Sequence, residues 1–317
     1  MDSNLRDGVL VLGSTGFIGA HLVERLDRHG YTVYALARSE QNITRGRIRH
    51  VSGSMDDAEL LRGLISRCRH IVHVAGLTTP STSATAPAVE ISGNLGALAR
   101  LLSFANEFPD RRLVYMSSAG AVYGDHSINI DEGALLRPRS YYGAGKAAAE
   151  AFIHACSSTT SWQCVVLRPS NIYGPGQSPG KGFAIVPTLF TCAADNTTFN
   201  IWGDGGNVRD YCHVSDLVDL AVRAVGFDGG PKSAIYNAAS GEAVSIVELI
   251  SACERSTGRK INVKFLPSRS VDVPHVSLDT KAARSAYDWE ARISLNEGLD
   301  MTWEWFQGLR VLEQTTN

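Results

Sequence analysis

The sequence predicts an α/β protein built on a doubly wound parallel sheet, and three observations carry that expectation. Short β-branched apolar runs recur without clean alternation, amphipathic stretches separate them, and a glycine-rich turn joins the first run to the first amphipathic stretch. Strands buried on both faces have no polar side to show, and parallel neighbours need a crossover between them. The 317 residues suffice for such a sheet and a second lobe.

Taken in order, "VLVLG" reads as the first strand and "GFIGAHLVERLDRHG" as the first helix. "YTVYALA", "HIVHVAG", "RLVYMSS" and "CVVLRPS" follow as strands. "ELLRGLISRC", "NLGALARLLSFANEF" and a helix from about Tyr142 to Ala155 supply crossovers. After Arg168 the texture changes: "GPGQSPGKG" and "GDGGNVRDY" are glycine-rich loops, with only short strand or helix patterns between them. A helix from about Ser215 to Val225 and the strand "AIYNAAS" suit either unit, so the boundary is expected to be interleaved. The expected division is a Rossmann-type dinucleotide-binding domain over 1–170, to which about 214–240 returns, and a smaller substrate-binding lobe over 171–213 and 241–317.

Charge excludes several classes. Thirty basic residues against 32 acidic ones give a net charge of -2, so no field of one sign points to nucleic acid or a membrane surface. The local run "RGRIRH" reads as a solvated strand edge, with a second use open to Arg45 and Arg47 beside Arg38 if a cofactor phosphate binds there. Six cysteines without a CxxC pair suit reduced thiols and a cytoplasmic protein. The N-terminal stretch carries acidic residues where a secretion signal carries basic ones, and no run approaches the ~20 apolar residues that span a bilayer. His70 and His73 are three apart in a strand, unlike a helical zinc pair, and no metal is expected.

"VLVLGSTGFIG" places Gly13, Gly16 and Gly19 between strand and helix, with Ser14, Thr15, Phe17 and Ile18 among them. Bare glycines permit a tight turn and close approach to a pyrophosphate, and the helix N-terminus offers unpaired N–H groups. An NAD site usually has an acidic residue at the end of the second strand, for the ribose hydroxyls. Here Ala37, Arg38 and Ser39 stand there, and an arginine suits a 2′-phosphate instead. Both NAD and NADP are therefore candidates, with Arg38 tilting toward NADP.

Tyr142 and Lys146 are four apart on the predicted helix and leave the same face, whereas Tyr141 does not. A phenol of pKa ~10 is a poor base at neutral pH, and a neighbouring ammonium favours the phenolate. Such a pair can take a proton from a carbinol or return it. Beside them the strand ends in "YMSSAGAVYG". Adjacent strand residues face opposite sides, so Ser118 is assigned to the substrate and Ser117 to the cofactor or core.

Read together, "GSTGFIG", "HVAG", "YMSSAGAVYG", "YYGAGK", "LRPSNIYGPGQ", "RDYCHVSDL" and "LDTKAARSAYDW" resemble the extended short-chain dehydrogenase/reductase family. Within it they are similar to the nucleotide-sugar epimerases and dehydratases typified by UDP-galactose 4-epimerase. The resemblance implies Tyr142 as acid/base, with Lys146 tuning it and holding the nicotinamide ribose. It implies Asp57, Ala75, Gly76 and Ser117 at the cofactor, and Thr78, Ser118, Asn171, Arg209 and Arg269 at the nucleotide sugar, the two arginines at its diphosphate. It also implies a homodimer through helices near 88–107 and 142–155.

The chain departs from the family pattern in three places. Many members carry Ser or Thr where this chain has Ala119; the ribose-binding acid is replaced by Ala37 and Arg38; and the acid pair that dehydratases carry is absent from "AGA" at 119–121. Dehydration is therefore disfavoured. The leading expectation is a 4-epimerase acting on a UDP-hexose or its N-acetyl or uronic derivative, in sugar or polysaccharide biosynthesis. An NADPH-dependent 4-ketoreductase is second, and an inactive cofactor-binding protein third. The loops at 77–85 and 174–183 are expected to shape the sugar pocket.

Overall fold

The computed structural model describes residues 7–38, 43–124, 128–179, 184–268 and 273–315. Along the chain the strands are β1 (Gly8–Leu12), β2 (Thr32–Ala37), β3 (Thr44–Arg45), β4 (Ile48–Ser52), β5 (His70–His73), β6 (Arg112–Met116), β7 (Gln163–Pro169), β8 (Asn171–Tyr173), β9 (Thr198–Trp202), β10 (Val208–His213), β11 (Ser233–Ala238), β12 (Ala243–Ser245), β13 (Asn262–Leu266) and β14 (His275–Val276). Eight of them form one sheet in the order β11-β7-β6-β5-β1-β2-β4-β3, parallel throughout except for the β3–β4 pair. Strand order reverses between β1 and β5, which opens a crevice at their carboxyl ends. The "RGRIRH" run forms the exposed β3–β4 corner, where Arg49 donates to the Tyr34 hydroxyl at 3.2 Å.

The helices are α1 (Phe17–Arg28), α2 (Ala58–Ile65), α3 (Gly96–Ser103), α4 (Tyr141–Thr159), α5 (Ile185–Asp195), α6 (Val214–Gly226), α7 (Ile246–Thr257), α8 (Lys281–Tyr287) and α9 (Leu295–Thr315). Alternation along each strand decides which face each side chain covers. Val9 and Val11 of β1 join Leu22, Leu26, Leu217 and Ala221 in a core under α1 and α6. Leu10 and Leu12 join Leu61, Leu64, Leu98 and Ile153 in a second core under α2, α3 and α4. Both faces are covered, so the strands read as unbroken apolar runs.

The second part of the chain is richer in helix than its glycine-rich loops suggest. α5, α7 and α9 run 11, 12 and 21 residues, and Leu189, Phe190, Leu249, Leu299, Trp303 and Phe306 meet in a core of their own. Sequence reading weighted the loops and undercounted apolar residues three and four apart. Ala283, Tyr287 and Trp289 of the expected lobe segment 241–317 instead join the core beside β11 and α6. The expected helix around residues 88–107 also differs: a π-helical turn, Glu90–Leu95, leads into α3, which stops at Ser103.

One buried ion pair fastens α4 to the sheet. Arg168, at the end of β7, donates Nη2 to Glu150 Oε2 at 2.6 Å and Nε to Oε1 at 3.1 Å, and both side chains are almost wholly buried. Arg168 also donates to the Tyr123 hydroxyl at 2.8 Å, and Tyr123 donates to Asn237 of β11 at 2.7 Å. Removing one partner of such a pair strands a buried charge. Glu150→Ala is therefore expected to cost about 3–5 kcal/mol of stability in urea unfolding, whereas a truncation at the solvent-screened pair Arg62–Glu59 should leave the unfolding midpoint almost unmoved.

Candidate active site

The crevice at the strand ends opens into a cavity of about 980 Å³ between the main sheet and the second lobe. Phe17, Ile18, Ala75 and Gly76 line one end, Ser118, Tyr142 and Lys146 the middle, and Asn171, Trp202 and Arg209 the lobe side.

The glycine turn is packed to its limit. Gly13 has φ +91°, and a Cβ there would lie 2.7 Å from the Ala75 backbone. A Cβ on Gly19 would lie 2.0 Å from the Gly13 carbonyl oxygen. Only bare glycine fits either place, and Gly16 caps the N-terminus of α1. Such a cradle suits a dinucleotide pyrophosphate. Ser14 contributes no side chain to it, because its hydroxyl donates to the Leu36 carbonyl at 3.0 Å and ties the turn to β2. Thr15 is exposed on the turn, and Arg38 is exposed at the end of β2. Asp57 lies beyond β4, where one carboxylate oxygen caps α2 by accepting from the Leu60 N–H at 3.0 Å.

The "YMSSAGAVYG" stretch divides its hydroxyls between two jobs. Ser117 is buried and donates to Glu150 Oε1 at 2.5 Å, so it belongs to the ion-pair network. Ser118 lines the cavity, its hydroxyl near enough to the Tyr142 phenol to lower that phenol's pKa. Ala119 is wholly buried against Val122, Tyr123 and Ile130 on the short turn Ala119–Val122. A hydroxyl at 119 would therefore be turned into an apolar cluster.

Ser140 caps α4 by accepting from the Gly143 N–H at 3.1 Å, and the first turn of that helix presents Tyr142 to the cavity while Tyr141 is exposed. Ser83, on the turn Pro80–Ser83, accepts the Tyr142 N–H at 3.1 Å and locks the segment after β5 onto α4. Lys146 donates to the Met116 carbonyl at 2.6 Å and to the Tyr115 hydroxyl at 3.2 Å. Burial pulls its pKa down to about 8, while Glu90 and Glu150 pull the other way. Its Nζ lies 5.8 Å from the centre of the Tyr142 ring. Burial pushes the Tyr142 phenol up to about 12; Ser118 lowers it and Glu90 raises it further. Lys146 alone does not make Tyr142 a base at neutral pH.

On the lobe side, the Asn171 amide donates to the Asp210 carbonyl at 3.0 Å, and Arg209 lines the cavity with one N–H on the Val208 carbonyl at 2.8 Å. Arg269 lies outside the described residues, as do residues 180–183 of the expected sugar loop. Four residues went unread in the sequence. Glu90 and Asn94, beside α4, share a hydrogen bond at 2.9 Å and hold Thr78. Gln177 lines the cavity with its Oε1 buried and unbonded, and Trp202 lines it as well. The i, i+4 spacing of Glu90 and Asn94 was the available signal, masked by the helical pattern around it.

A doubly wound sheet with a glycine cradle, and with a serine, a tyrosine and a lysine gathered at its switch point, defines a nicotinamide-dependent protein that acts on carbinols and ketones. The model of the NAD dependent epimerase/dehydratase family matches residues 9–239, and the chain belongs to that family. It is 31% identical over 313 residues to a UDP-glucose 4-epimerase of Mycolicibacterium smegmatis, covering 94% of this chain and 98% of the relative. The UDP-glucose 4-epimerase of Thermotoga maritima, solved with UDP-glucose, superposes with a TM-score of 0.88 at 27% identity over 96% of this chain and 99% of that one. MoeE5, solved with UDP-glucuronic acid and NAD, superposes with a TM-score of 0.88 at 31% identity over 95% and 99%.

The phenol assignment makes a spectroscopic prediction. A cation placed beside Tyr142 stabilises its phenolate, so the phenolate absorbance that Tyr142→Phe removes should appear at lower pH with NAD+ bound than in ligand-free protein. The same substitution should cut turnover by about 10²–10⁴-fold and leave cofactor affinity unchanged in fluorescence titration.

Proposed function

We propose that this protein is an NAD-dependent nucleotide-sugar 4-epimerase that converts a UDP-hexose or a derivative through a transient 4-keto sugar. The observation that carries the reading is the Ser118–Tyr142–Lys146 group at the centre of a cavity whose far side carries Arg209. When bound, the nicotinamide accepts a hydride from C4 of the sugar and returns it to the opposite face.

The chain's own residues handle the proton and the anchoring. Ser118 orients the C4 hydroxyl and the phenol, and Tyr142 takes the hydroxyl proton and gives it back. Lys146, fixed by the Met116 carbonyl, presents its charge to the nicotinamide ribose. Ala119, Gly120 and Ala121 offer no acid or base for eliminating water. Arg209, with Arg269, takes the diphosphate, for which guanidinium forks are suited. Trp202, an aromatic ring lining the same cavity, suits a stacked base. A substrate held by its nucleotide leaves the sugar end able to turn.

Residues 1–170 with 214–240 form the cofactor domain in this reading, and 171–213 with 241–317 the substrate lobe, with Ala283, Tyr287 and Trp289 of the last segment packed into the cofactor domain's core. Two copies pair through the helices near 88–107 and 142–155, where Ile91 and Phe152 are exposed apolar side chains. Six unpaired, buried cysteines suit a cytoplasmic protein of sugar or polysaccharide biosynthesis. No helix among the described residues is long and apolar enough to cross a membrane.

Incubation with UDP-glucose and catalytic NAD should yield the 4-epimer by NMR with no net change in NADH. A strict need for stoichiometric NADPH would instead establish the ketoreductase reading, which Arg38 favours. Arg38 also makes NADP(H) at least as good a ligand as NAD(H), and Arg38→Asp should shift preference toward NAD(H) by about tenfold or more, the worth of one charge-assisted contact. Tighter binding of NAD(H) than NADP(H) by the unaltered protein would remove that assignment.

A further inference from the structure

Glu90 is 3% exposed, yet its carboxylate oxygens are taken up by a hydroxyl and an amide rather than by a cation. Oε2 accepts from Thr78 Oγ1, and Oε1 accepts from Asn94 Nδ2 at 2.9 Å. Asn94 Nδ2 also donates to Thr78 Oγ1 at 2.8 Å, while Asn94 Oδ1 accepts the Leu77 N–H at 2.9 Å. The Leu77 N–H fixes which way the Asn94 amide points, so its NH2 group faces Glu90 and Thr78. Gly145, one residue before Lys146, makes the space: a Cβ there would lie 2.5 Å from Glu90 Oε1.

This arrangement sets the polarity of a cavity-lining hydroxyl. A threonine hydroxyl has one hydrogen and two lone pairs. The hydrogen of Thr78 goes to Glu90 and one lone pair receives Asn94, so what remains for the cavity is one lone pair and no donor. Thr78 lines the same cavity as Ser118 and Tyr142, on the segment that Ser83 locks against α4. Among the described residues lining that cavity, the cations are Lys146 and Arg209. Lys146 is bound to Met116 and Tyr115, and Arg209 stands on β10 of the other lobe.

We infer that Glu90, acting through Thr78, restricts the enzyme to neutral sugars: Thr78 accepts a hydrogen bond from a sugar hydroxyl or an N-acetyl N–H, and a uronate carboxylate is refused. A carboxylate needs donors, and at Thr78 it would meet an acceptor backed by a buried carboxylate. Glu90 is a positioning residue here, because Thr78 makes the contact. The inference rests on the nucleotide-sugar epimerase reading and narrows its substrate class.

The test compares kcat/KM for UDP-glucose, UDP-N-acetylglucosamine and UDP-glucuronic acid in the full-length protein with NAD, following the 4-epimer by NMR. The unaltered protein should favour the better neutral sugar over the uronate by about tenfold or more. In Glu90→Gln, the carboxamide can donate to Thr78 and free its hydrogen for the cavity, so the neutral-to-uronate ratio should fall by about tenfold at unchanged NAD affinity. Thr78→Val, which keeps the shape and loses the acceptor, should lower kcat/KM on the neutral sugars. A Glu90→Gln variant that loses activity on all three sugars in proportion would reduce Glu90 to a structural role and overturn the inference. So would an unaltered protein that turns over UDP-glucuronic acid as well as the neutral sugars, which leaves the epimerase reading standing. Absence of turnover on every UDP-sugar would overturn both.

Discussion

The Arg168–Glu150 pair is the contact on which the geometry of the site depends. It joins the end of β7 to α4 one helical turn beyond Lys146, and Ser117 at the end of β6 donates to the same carboxylate. β6, β7 and α4 are thus held together by one buried carboxylate. The register of α4 follows from it: with Glu150 on Arg168, Lys146 reaches the Met116 carbonyl and Tyr142 reaches Ser118. A buried ion pair is a poor source of net stability compared with apolar packing. Here its bidentate geometry fixes one docking of the helix among the several that alanines on α4 would tolerate.

Charge in the site is balanced around Lys146. Burial lowers the pKa of the ammonium to about 8, and Glu90 and Glu150 pull against it. The same Glu90 works against the Tyr142 phenolate, as burial does. Burial and Glu90 thus both favour the protonated phenol. His73, below the site and close to Tyr115, has its pKa pulled down to about 3 by burial and by Lys146, and so adds no competing charge.

Much of this was legible in the sequence. The alternation of apolar runs and amphipathic stretches located the sheet, since a strand covered on both faces has no polar positions to obscure it. Gly13 and Gly19 marked the cradle because no other residue fits their contacts. Tyr142, Lys146 and Ser118 line one cavity, while Ala119 is buried in an apolar cluster. Other features depended on contacts distant in the chain. Ser14 stood among the residues of the phosphate turn and Ser117 was assigned to the cofactor or core, but the partners of their hydroxyls, Leu36 and Glu150, lie 22 and 33 residues away. Glu90 and Asn94 sit in an ordinary-looking amphipathic stretch, and only the π-helical turn and the proximity of Gly145 show that both face the site. The helices of the second lobe were hidden by the glycine loops that flank them.

The central claim is that hydride leaves C4 of the sugar and comes back to the same carbon without exchange. UDP-glucose carrying deuterium at C4 tests it directly, with the product analysed by NMR and mass spectrometry. The account predicts an inverted C4 centre that retains its deuterium, with none lost to solvent or to added unlabelled cofactor. Product that had lost its deuterium to water, or inversion at another carbon, would contradict it.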